Sequence, residues 1–152
     1  MRKLSQQEIK QHEIDILLEL QRVCDENNIK FYLAYGTLLG AIRHGGFIPW
    51  DDDVDVIMSR PDYNKLVELN RREKIFNAPY SMICGEDNTL YLPYMKIIDT
   101  STKVIEDYLN NDADRSLWVD VFPMDGISGD GKEIENILKK GRYYRRLLFW
   151  NY

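Results

Sequence analysis

The sequence is poor in the features that mark secreted and membrane-spanning proteins. It has two cysteines, Cys24 and Cys84, whose separation fits neither a disulfide framework nor a metal motif. The first residues, MRKLSQQEIKQHE, lack the apolar run of a signal peptide. No stretch approaches the roughly 18 apolar residues of a membrane span. We therefore expect a reduced, cytoplasmic protein with structural thiols.

Basic charge is also scarce, with 20 Lys and Arg against 25 Asp and Glu, for a net charge of −5. Because general nucleic-acid-binding surfaces are basic, we expect no nucleic-acid partner. The 152 residues, 44% of them hydrophobic, are enough for one globular domain with its own core. Without internal repeats or a low-complexity linker, the interpretation is a single domain over 1–152.

Hydrophobic periodicity and punctuating residues predict helices alternating with strands. Ser5 and Glu8 have the spacing of a capping box, and Asp130 is a candidate helix cap. We predict helices at 5–27, 36–44, from Ser59 onward and 132–149, and strands at 29–35, 53–58, 80–85, 91–98, 102–106 and 116–122. This order indicates an α+β (α/β) domain with a mixed sheet flanked by helices.

An acidic block, WDDDVDVIM, begins one of the predicted strands. On a strand, Asp53 and Asp55 would share a face about 6.5 Å apart, while Val54 and Val56 enter the core. Two such charges repel by roughly 2.5 kcal/mol at an effective dielectric constant near 20. A cation would relieve this repulsion, and oxygen ligands suit Mg²⁺ or Mn²⁺. The alternative is a solvated acidic loop.

A calcium-binding EF-hand loop does not fit this block. Counted from Asp51, such a loop needs Gly at position six and Glu at position twelve, where the sequence has Val56 and Asp62.

Two further segments complete a candidate site. Gly36 and Thr37 lie between a predicted strand and helix, where backbone amides and a hydroxyl can hold phosphate; a simple helix cap is the alternative. Asp120 lies between Val119 and Val121 in another apolar strand. If that strand neighbours the first, Asp120 completes a three-carboxylate cluster able to hold two metal ions.

Other polar residues have less specific signals. Arg43 and Lys96 are candidate phosphate contacts, and a salt bridge to the acidic block is the alternative for Arg43. We expect His44 to be structural. Supporting roles for the remaining aspartates are left open: Asp51, Asp52, Asp99 and Asp125.

The segment YGTLLGAIRHGGFIPWDDDVDVIM, with KIIDTST and WVDVFPMDG downstream, resembles the LicD family and, more broadly, the nucleotidyltransferase fold of the polymerase-beta type. The matching motifs run from Tyr35 to about Gly126. The family includes bacterial phosphocholine transferases and is similar to the fukutin-related proteins of animals. By the family pattern, Asp53, Asp55 and Asp120 match the metal-binding carboxylates, and Gly36 and Thr37 match the phosphate-binding turn.

This resemblance implies metal-dependent transfer of a phospho-alcohol from a CDP-linked donor to a sugar hydroxyl, with CMP leaving. The implied acceptors are teichoic acid, lipopolysaccharide or related cell-envelope glycans. A carboxylate such as Asp120 would take the hydroxyl proton. A choline head would need aromatic rings, for which Trp50 and Trp118 are candidates. The alternatives are transfer of a nucleoside monophosphate itself and a catalytically inactive domain that binds a glycan or a partner.

The last segment, RYYRRLLFWNY, is basic and aromatic. It predicts either a packed helix or a peripheral contact with a lipid surface. Family members extend further at the C-terminus, so we interpret the chain as C-terminally shortened relative to the family.

Overall fold

A computed structural model of the protein describes residues 2–90, 92–105 and 115–149. Within these ranges lie four α-helices, five strands and a short 3-10 helix, Gly85–Asp87. The elements in chain order are α1 (Gln6–Glu26), β1 (Phe31–Leu33), α2 (Tyr35–His44), β2 (Asp55–Ser59), α3 (Arg60–Glu73), β3 (Tyr80–Ile83), β4 (Met95–Val104), β5 (Arg115–Met124) and α4 (Gly131–Phe149).

The strands form one five-stranded sheet in the order β1-β2-β5-β4-β3. β2 and β5 run parallel, and the other neighbouring pairs are antiparallel. The sheet is therefore mixed, and the α+β prediction is confirmed.

The hydrophobic core lies on one face of the sheet, where α1 and α3 pack. Both helices are capped as the sequence indicates: Ser5 and Glu8 form a capping box, and the Ser59 side chain accepts from the amide of Asp62. Alternate strand positions point into this core, as two-residue periodicity requires. The fully buried side chains include Ile16, Leu20, Met58, Tyr63, Leu66, Ile97, Val119 and Val121.

Several predicted boundaries were wrong by a few residues. β1 ends at Leu33 because Ala34 caps α2, which begins at Tyr35 with a positive φ of 44°. β2 begins at Asp55, so Asp53 lies in the loop before it. The strand predicted at 80–85 ends at Ile83, since Cys84 caps the 3-10 helix.

The strands predicted at 91–98 and 102–106 form one strand, β4, with a register irregularity between Asp99 and Val104. Residues 91 and 106, at the outer ends of these two predictions, lie outside the described residues.

The C-terminal helix predicted at 132–149 is confirmed as α4. Residues 150–152 of the basic and aromatic segment lie outside the described residues, so its predicted lipid contact stays a prediction. Within the described ranges, no helix combines the length and apolar character needed to cross a membrane.

Candidate active site

A polar strip crosses three neighbouring strands on the sheet face opposite the core helices. Asp55 on β2 is the register partner of Asp120 on β5, and Asp120 is in turn paired with Lys96 on β4. Paired residues on adjacent strands point to the same side of a sheet. The strand that carries Asp120 therefore lies directly beside the strand that carries Asp55, as the predicted carboxylate cluster requires.

Asp120 is held by two neighbours on this face. Trp118 Nε1 donates a hydrogen bond of 3.1 Å to Oδ2, and Lys96 Nζ lies 3.2 Å from Oδ1. Lys96 Nζ also lies 3.7 Å from the ring centroid of Trp118. Among the described residues, the buried Oδ1 accepts no hydrogen bond but forms an ion pair with Lys96. Asp120 is thus held by the indole N–H of Trp118 at one oxygen and by the ammonium group of Lys96 at the other.

The carboxylates of the site disfavour each other's charge. Burial raises the pKa of Asp55 to about 6, with further contributions from the charges of Asp53, Asp120 and Asp51. Burial and the charges of Asp51, Asp52 and Asp120 raise the pKa of Asp53. Lys96 opposes the shift at Asp55 but does not cancel it. The cluster therefore carries unneutralised negative charge that a cation would stabilise.

Gly36 and Thr37 lie directly beside this cluster, at the start of α2. The Thr37 Oγ1 accepts a hydrogen bond of 2.8 Å from the amide of Asp55, the first residue of β2. A Cβ on Gly36 would meet the Asp51 carboxylate at 2.5 Å, so a side chain there is excluded unless Asp51 moves. The Gly-Thr turn that opens α2 thus lies against Asp51 and the first residue of β2.

Glu13 is a fourth carboxylate that the sequence analysis missed. It is 2% exposed on α1, and its Oε2 has no hydrogen-bond partner within the described part of the chain. Burial, followed by the charges of Asp52 and Asp53, raises the pKa of Glu13 to about 8. The sequence does contain a signal for this residue. Glu13 lies four residues after Ile9 and three before Ile16, which places a carboxylate on the apolar stripe of α1.

The structure does not bring Arg43 against the acidic block. This residue is exposed in the last turn of α2 and forms no ion pair with any described residue, so the salt-bridge alternative is not observed. Its phosphate-binding role stays a prediction. Lys96, by contrast, lies within the polar strip.

The remaining candidates lie elsewhere. Asp125 follows β5 at its far end and pairs with Arg60, whose Nε is 2.6 Å away, and this pair lowers the pKa of Asp125. Asp99 is buried on the core side of β4, where His12 contacts it. Trp50 is 82% exposed, whereas Trp118 lies in the polar strip.

The donor chemistry at the site fits a hard divalent cation. Asp53, Asp55 and Asp120 offer only oxygen ligands, which suit Mg²⁺ or Mn²⁺, and Oδ1 of Asp120 is buried without a hydrogen bond. In the side-chain arrangement of the described residues, no three His, Cys, Asp or Glu groups already converge on one ion position. Binding would therefore require the carboxylates to rotate toward a shared ion.

A mixed sheet with carboxylates beside a Gly-Thr turn defines the class of the protein as an α+β domain of the nucleotidyltransferase type. The chain belongs to the LicD/FKTN/FKRP family, whose nucleotidyltransferase domain matches residues 28–145. The family expected from the motifs is thereby confirmed.

Relatives carry names that indicate phospho-alcohol transfer. The chain is 35% identical over 144 residues to the lipopolysaccharide cholinephosphotransferase LicD of Haemophilus influenzae, a match covering 93% of this chain and 52% of that protein. It is 39% identical over 51 residues to the human ribitol 5-phosphate transferase FKRP, covering 34% of this chain and 10% of that protein. The chain thus spans about half the length of the Haemophilus relative and less of the human one.

Proposed function

We propose that the protein is a metal-dependent phosphotransferase that moves a phospho-alcohol from a CDP-linked donor to a glycan hydroxyl, releasing CMP. Phosphocholine is the phospho-alcohol that we propose first, and a teichoic acid or lipopolysaccharide precursor is the acceptor class. The observation that carries the proposal is the pairing of Asp55 with Asp120 beside the Gly-Thr turn in a LicD-family domain. The printed activities of two relatives support the phospho-alcohol class.

The carboxylates supply the metal-binding half of the mechanism. Asp53, Asp55 and Asp120 would hold Mg²⁺ or Mn²⁺, which when bound neutralises charge on the transferred group and lowers the pKa of the attacking hydroxyl. The raised pKa values of Asp53 and Asp55 support this assignment, since these side chains gain most from a nearby cation.

The rest of the polar face would position the donor. The amides opening α2 and the Thr37 hydroxyl would hold the diphosphate, and the hydrogen bond from the Asp55 amide orients Thr37. Lys96 is fixed between Asp120 and Trp118, so its ammonium adds positive charge at a defined point without needing to be ordered on binding.

An aromatic cluster on the same side of the sheet is a candidate site for the choline head. The rings of Tyr35 and Phe122 meet edge to face with centroids 5.6 Å apart, and the Tyr94 ring lies 4.5 Å from that of Phe122. Phe122 is two residues from Asp120 and therefore shares its face. Aromatic faces attract quaternary ammonium groups, which supports choline over an uncharged alcohol such as ribitol.

The test is CMP release from CDP-choline, CDP-ethanolamine and CDP-ribitol, with delipidated Haemophilus lipopolysaccharide as acceptor and with or without MgCl₂. We expect Mg²⁺-dependent CMP release that is greatest with CDP-choline and disappears with EDTA. Pyrophosphate release from CTP instead would favour nucleotidyl transfer. No metal-linked binding of any CDP-alcohol by calorimetry would favour an inactive binding domain and contradict the proposal.

A variant of the aromatic cluster, assayed with two donors, tests its role in the same experiment. Phe122→Leu should reduce turnover of CDP-choline while leaving CDP-ribitol turnover within about twofold, because a leucine keeps apolar volume but lacks the ring face. An equal loss with both donors would remove the cluster from substrate recognition.

A further inference from the structure

The polar strip ends in a basic side chain. Lys96 on β4 is the register partner of Asp120, which is in turn the register partner of Asp55. An ammonium group and two carboxylates therefore leave the same face of the sheet on neighbouring strands. In the described parts of the chain, Asp53 and Asp55 form no ion pair, whereas Asp120 pairs with Lys96. The contact between Lys96 and Asp120 is thus where a cation of the protein meets the acidic cluster.

The ion pair between Lys96 and Asp120 is shielded from water. Nζ lies 3.2 Å from Oδ1, and the two side chains are 14% and 13% exposed. Salt screens a partly buried pair less than it screens a surface pair. Burial and the neighbouring aspartates raise the pKa of Asp55, and the charge of Lys96 partly opposes this rise. Lys96 therefore offsets part of the negative charge of the metal-free site.

Both oxygens of Asp120 are engaged in this arrangement. Oδ2 accepts the hydrogen bond from Trp118 Nε1, and Oδ1 faces the ammonium group of Lys96. If Asp120 is to bind a metal ion, it must share an oxygen with one of these groups or give one up. The indole N–H is uncharged, and metal-binding carboxylates commonly keep such a hydrogen bond. Two cations at one carboxylate repel each other, so the ammonium is the group that gives way.

The ring of Trp118 holds the ammonium group independently of the carboxylate. Nζ of Lys96 lies 3.7 Å from the ring centroid of Trp118, which is a cation–π contact. This contact does not depend on the orientation of Asp120, so it can persist when the carboxylate turns toward a metal ion. The ammonium then needs another anionic partner. The diphosphate of the donor is the anion that the proposed reaction brings to this face.

We propose that Lys96 is the counter-ion of the metal-free site and that Asp120 exchanges it for the metal ion. The inference rests on the proposed function. Oδ1 of Asp120 leaves the ammonium and becomes a metal ligand, while the ammonium, still over the Trp118 ring, turns to a phosphate oxygen of the donor. The same lysine thereby stabilises first the metal-free carboxylates and then the bound donor. Metal and donor each favour the binding of the other through this exchange.

Metal affinity in the absence of donor tests the exchange. The protein is titrated with MnCl₂ alone, and free Mn²⁺ is followed by electron paramagnetic resonance. Lys96→Met should bind Mn²⁺ at least about fivefold more tightly than wild type, because Asp120 no longer has to leave a cation. Lys96→Arg should bind Mn²⁺ more weakly, because a guanidinium can hold a carboxylate through two hydrogen bonds. A purely structural lysine predicts that neither variant binds Mn²⁺ more tightly.

Two control variants separate the exchange from other effects of the substitution. Lys30→Met removes an exposed ammonium just before β1 and should leave Mn²⁺ affinity within about twofold, since exposed distant charges are screened. Trp118→Phe keeps an aromatic ring but removes the indole N–H, so it should not raise Mn²⁺ affinity. A rise equal to that of Lys96→Met would show that Trp118 gives way at Asp120 and would overturn the proposal. Lys96→Arg decides the question if Lys96→Met does not fold, because unchanged affinity in that variant contradicts the exchange.

Turnover should change in the opposite direction to metal affinity. In Lys96→Met, CMP release from CDP-choline at saturating MnCl₂ should fall about 100-fold, because no ammonium meets the donor phosphate. Tighter Mn²⁺ binding with unchanged turnover would overturn the contact between Lys96 and the phosphate. Equal Mn²⁺ affinity of wild type and Lys96→Met overturns the exchange and leaves the proposed function standing. Wild type that binds no Mn²⁺, with or without CDP-choline, overturns both.

Discussion

Asp55 and Asp120 occupy paired positions on two parallel strands, so both carboxylates leave the sheet on the same side. Parallel neighbours that are distant in sequence can bring two acidic residues together without any local motif joining them. The pairing brings the acidic block that contains Asp55 together with the isolated Asp120 in one candidate site.

The two carboxylates should differ in their effect on stability while sharing an effect on activity. Asp55→Asn and Asp120→Asn should each lower CMP release at least about 100-fold, because positioning and charge stabilisation dominate phosphoryl transfer. Without metal, Asp55→Asn should raise Tm by relieving repulsion. Asp120→Asn should lower Tm, because the part-buried ion pair with Lys96 is lost. Differential scanning fluorimetry with and without MgCl₂ measures both effects.

Asp125→Asn is the matched control, since this aspartate follows the same strand but pairs with Arg60 at the far end. It should retain wild-type turnover. Loss of turnover equal to that of Asp120→Asn would show that the far end of β5 belongs to the site.

Glu13 should make the metal-free protein more stable as the pH falls from 8 toward 5. Its pKa in the folded protein is about 8, above its ordinary value of 4.5, so the folded state holds the proton more tightly than the unfolded state does. Stability from this group is present at low pH and is lost as pH rises through about 8. Glu13→Gln should raise Tm at pH 8 and flatten the pH dependence. Thermal melts across this range check it, with exposed Glu135→Gln expected to match wild type.

Gly40 should be intolerant of even one added methyl group. A Cβ there would meet the backbone oxygen of Gly46 at 2.5 Å and the amide nitrogen of Ile48 at 2.9 Å. Backbone atoms cannot relieve this clash by changing rotamer, as a side chain can. Gly40→Ala should therefore cost about 1–3 kcal/mol of unfolding free energy. Gly141→Ala, on α4 with open space around it, should be neutral or stabilising by up to about 1 kcal/mol. Urea denaturation of both variants gives the comparison.

Thr37 should matter through its hydroxyl and not through its shape. Thr37→Val removes the acceptor for the amide of Asp55, which should cost about 1–3 kcal/mol and displace the start of β2. Thr37→Ser keeps the acceptor and should preserve stability and most turnover. If valine and serine behaved alike in urea denaturation and CMP release, the hydrogen bond would be irrelevant.

Local patterns predicted most of the fold. The helix around Ile16 and Leu20, the cap at Ser59 and the alternation of Val54, Asp55 and Val56 each depend on residues close in sequence, which is where periodicity and capping rules apply. The strand ends were less predictable. β1 stops at Leu33 because the chain turns at Tyr35 into α2, and the positive φ of this tyrosine has no signal in the local apolar pattern.

The candidate site was only partly predictable for the same reason. Asp53, Asp55 and Asp120 stand out because acidic residues in apolar strands are costly. Glu13 lies near Asp52 and Asp53 only because α1 packs beside the loop before β2, and no local pattern shows which helix faces which loop. Asp125 and Asp99 resemble site residues in sequence, but a salt bridge and a core position, respectively, account for them.

The hydrogen bond between Thr37 and Asp55 also indicates where the backbone can be cut without separating the two parts of the fold. It closes the segment 38–54 into a loop whose two ends are held together, and β1 and β2 pair alongside it. Gly45 and Gly46 are exposed within that loop. A backbone break there would divide the chain into two fragments that are still joined by this hydrogen bond and by the pairing of β1 with β2. The domain is therefore suited to fragment complementation, in which two peptides divided at these glycines reassemble into the folded domain.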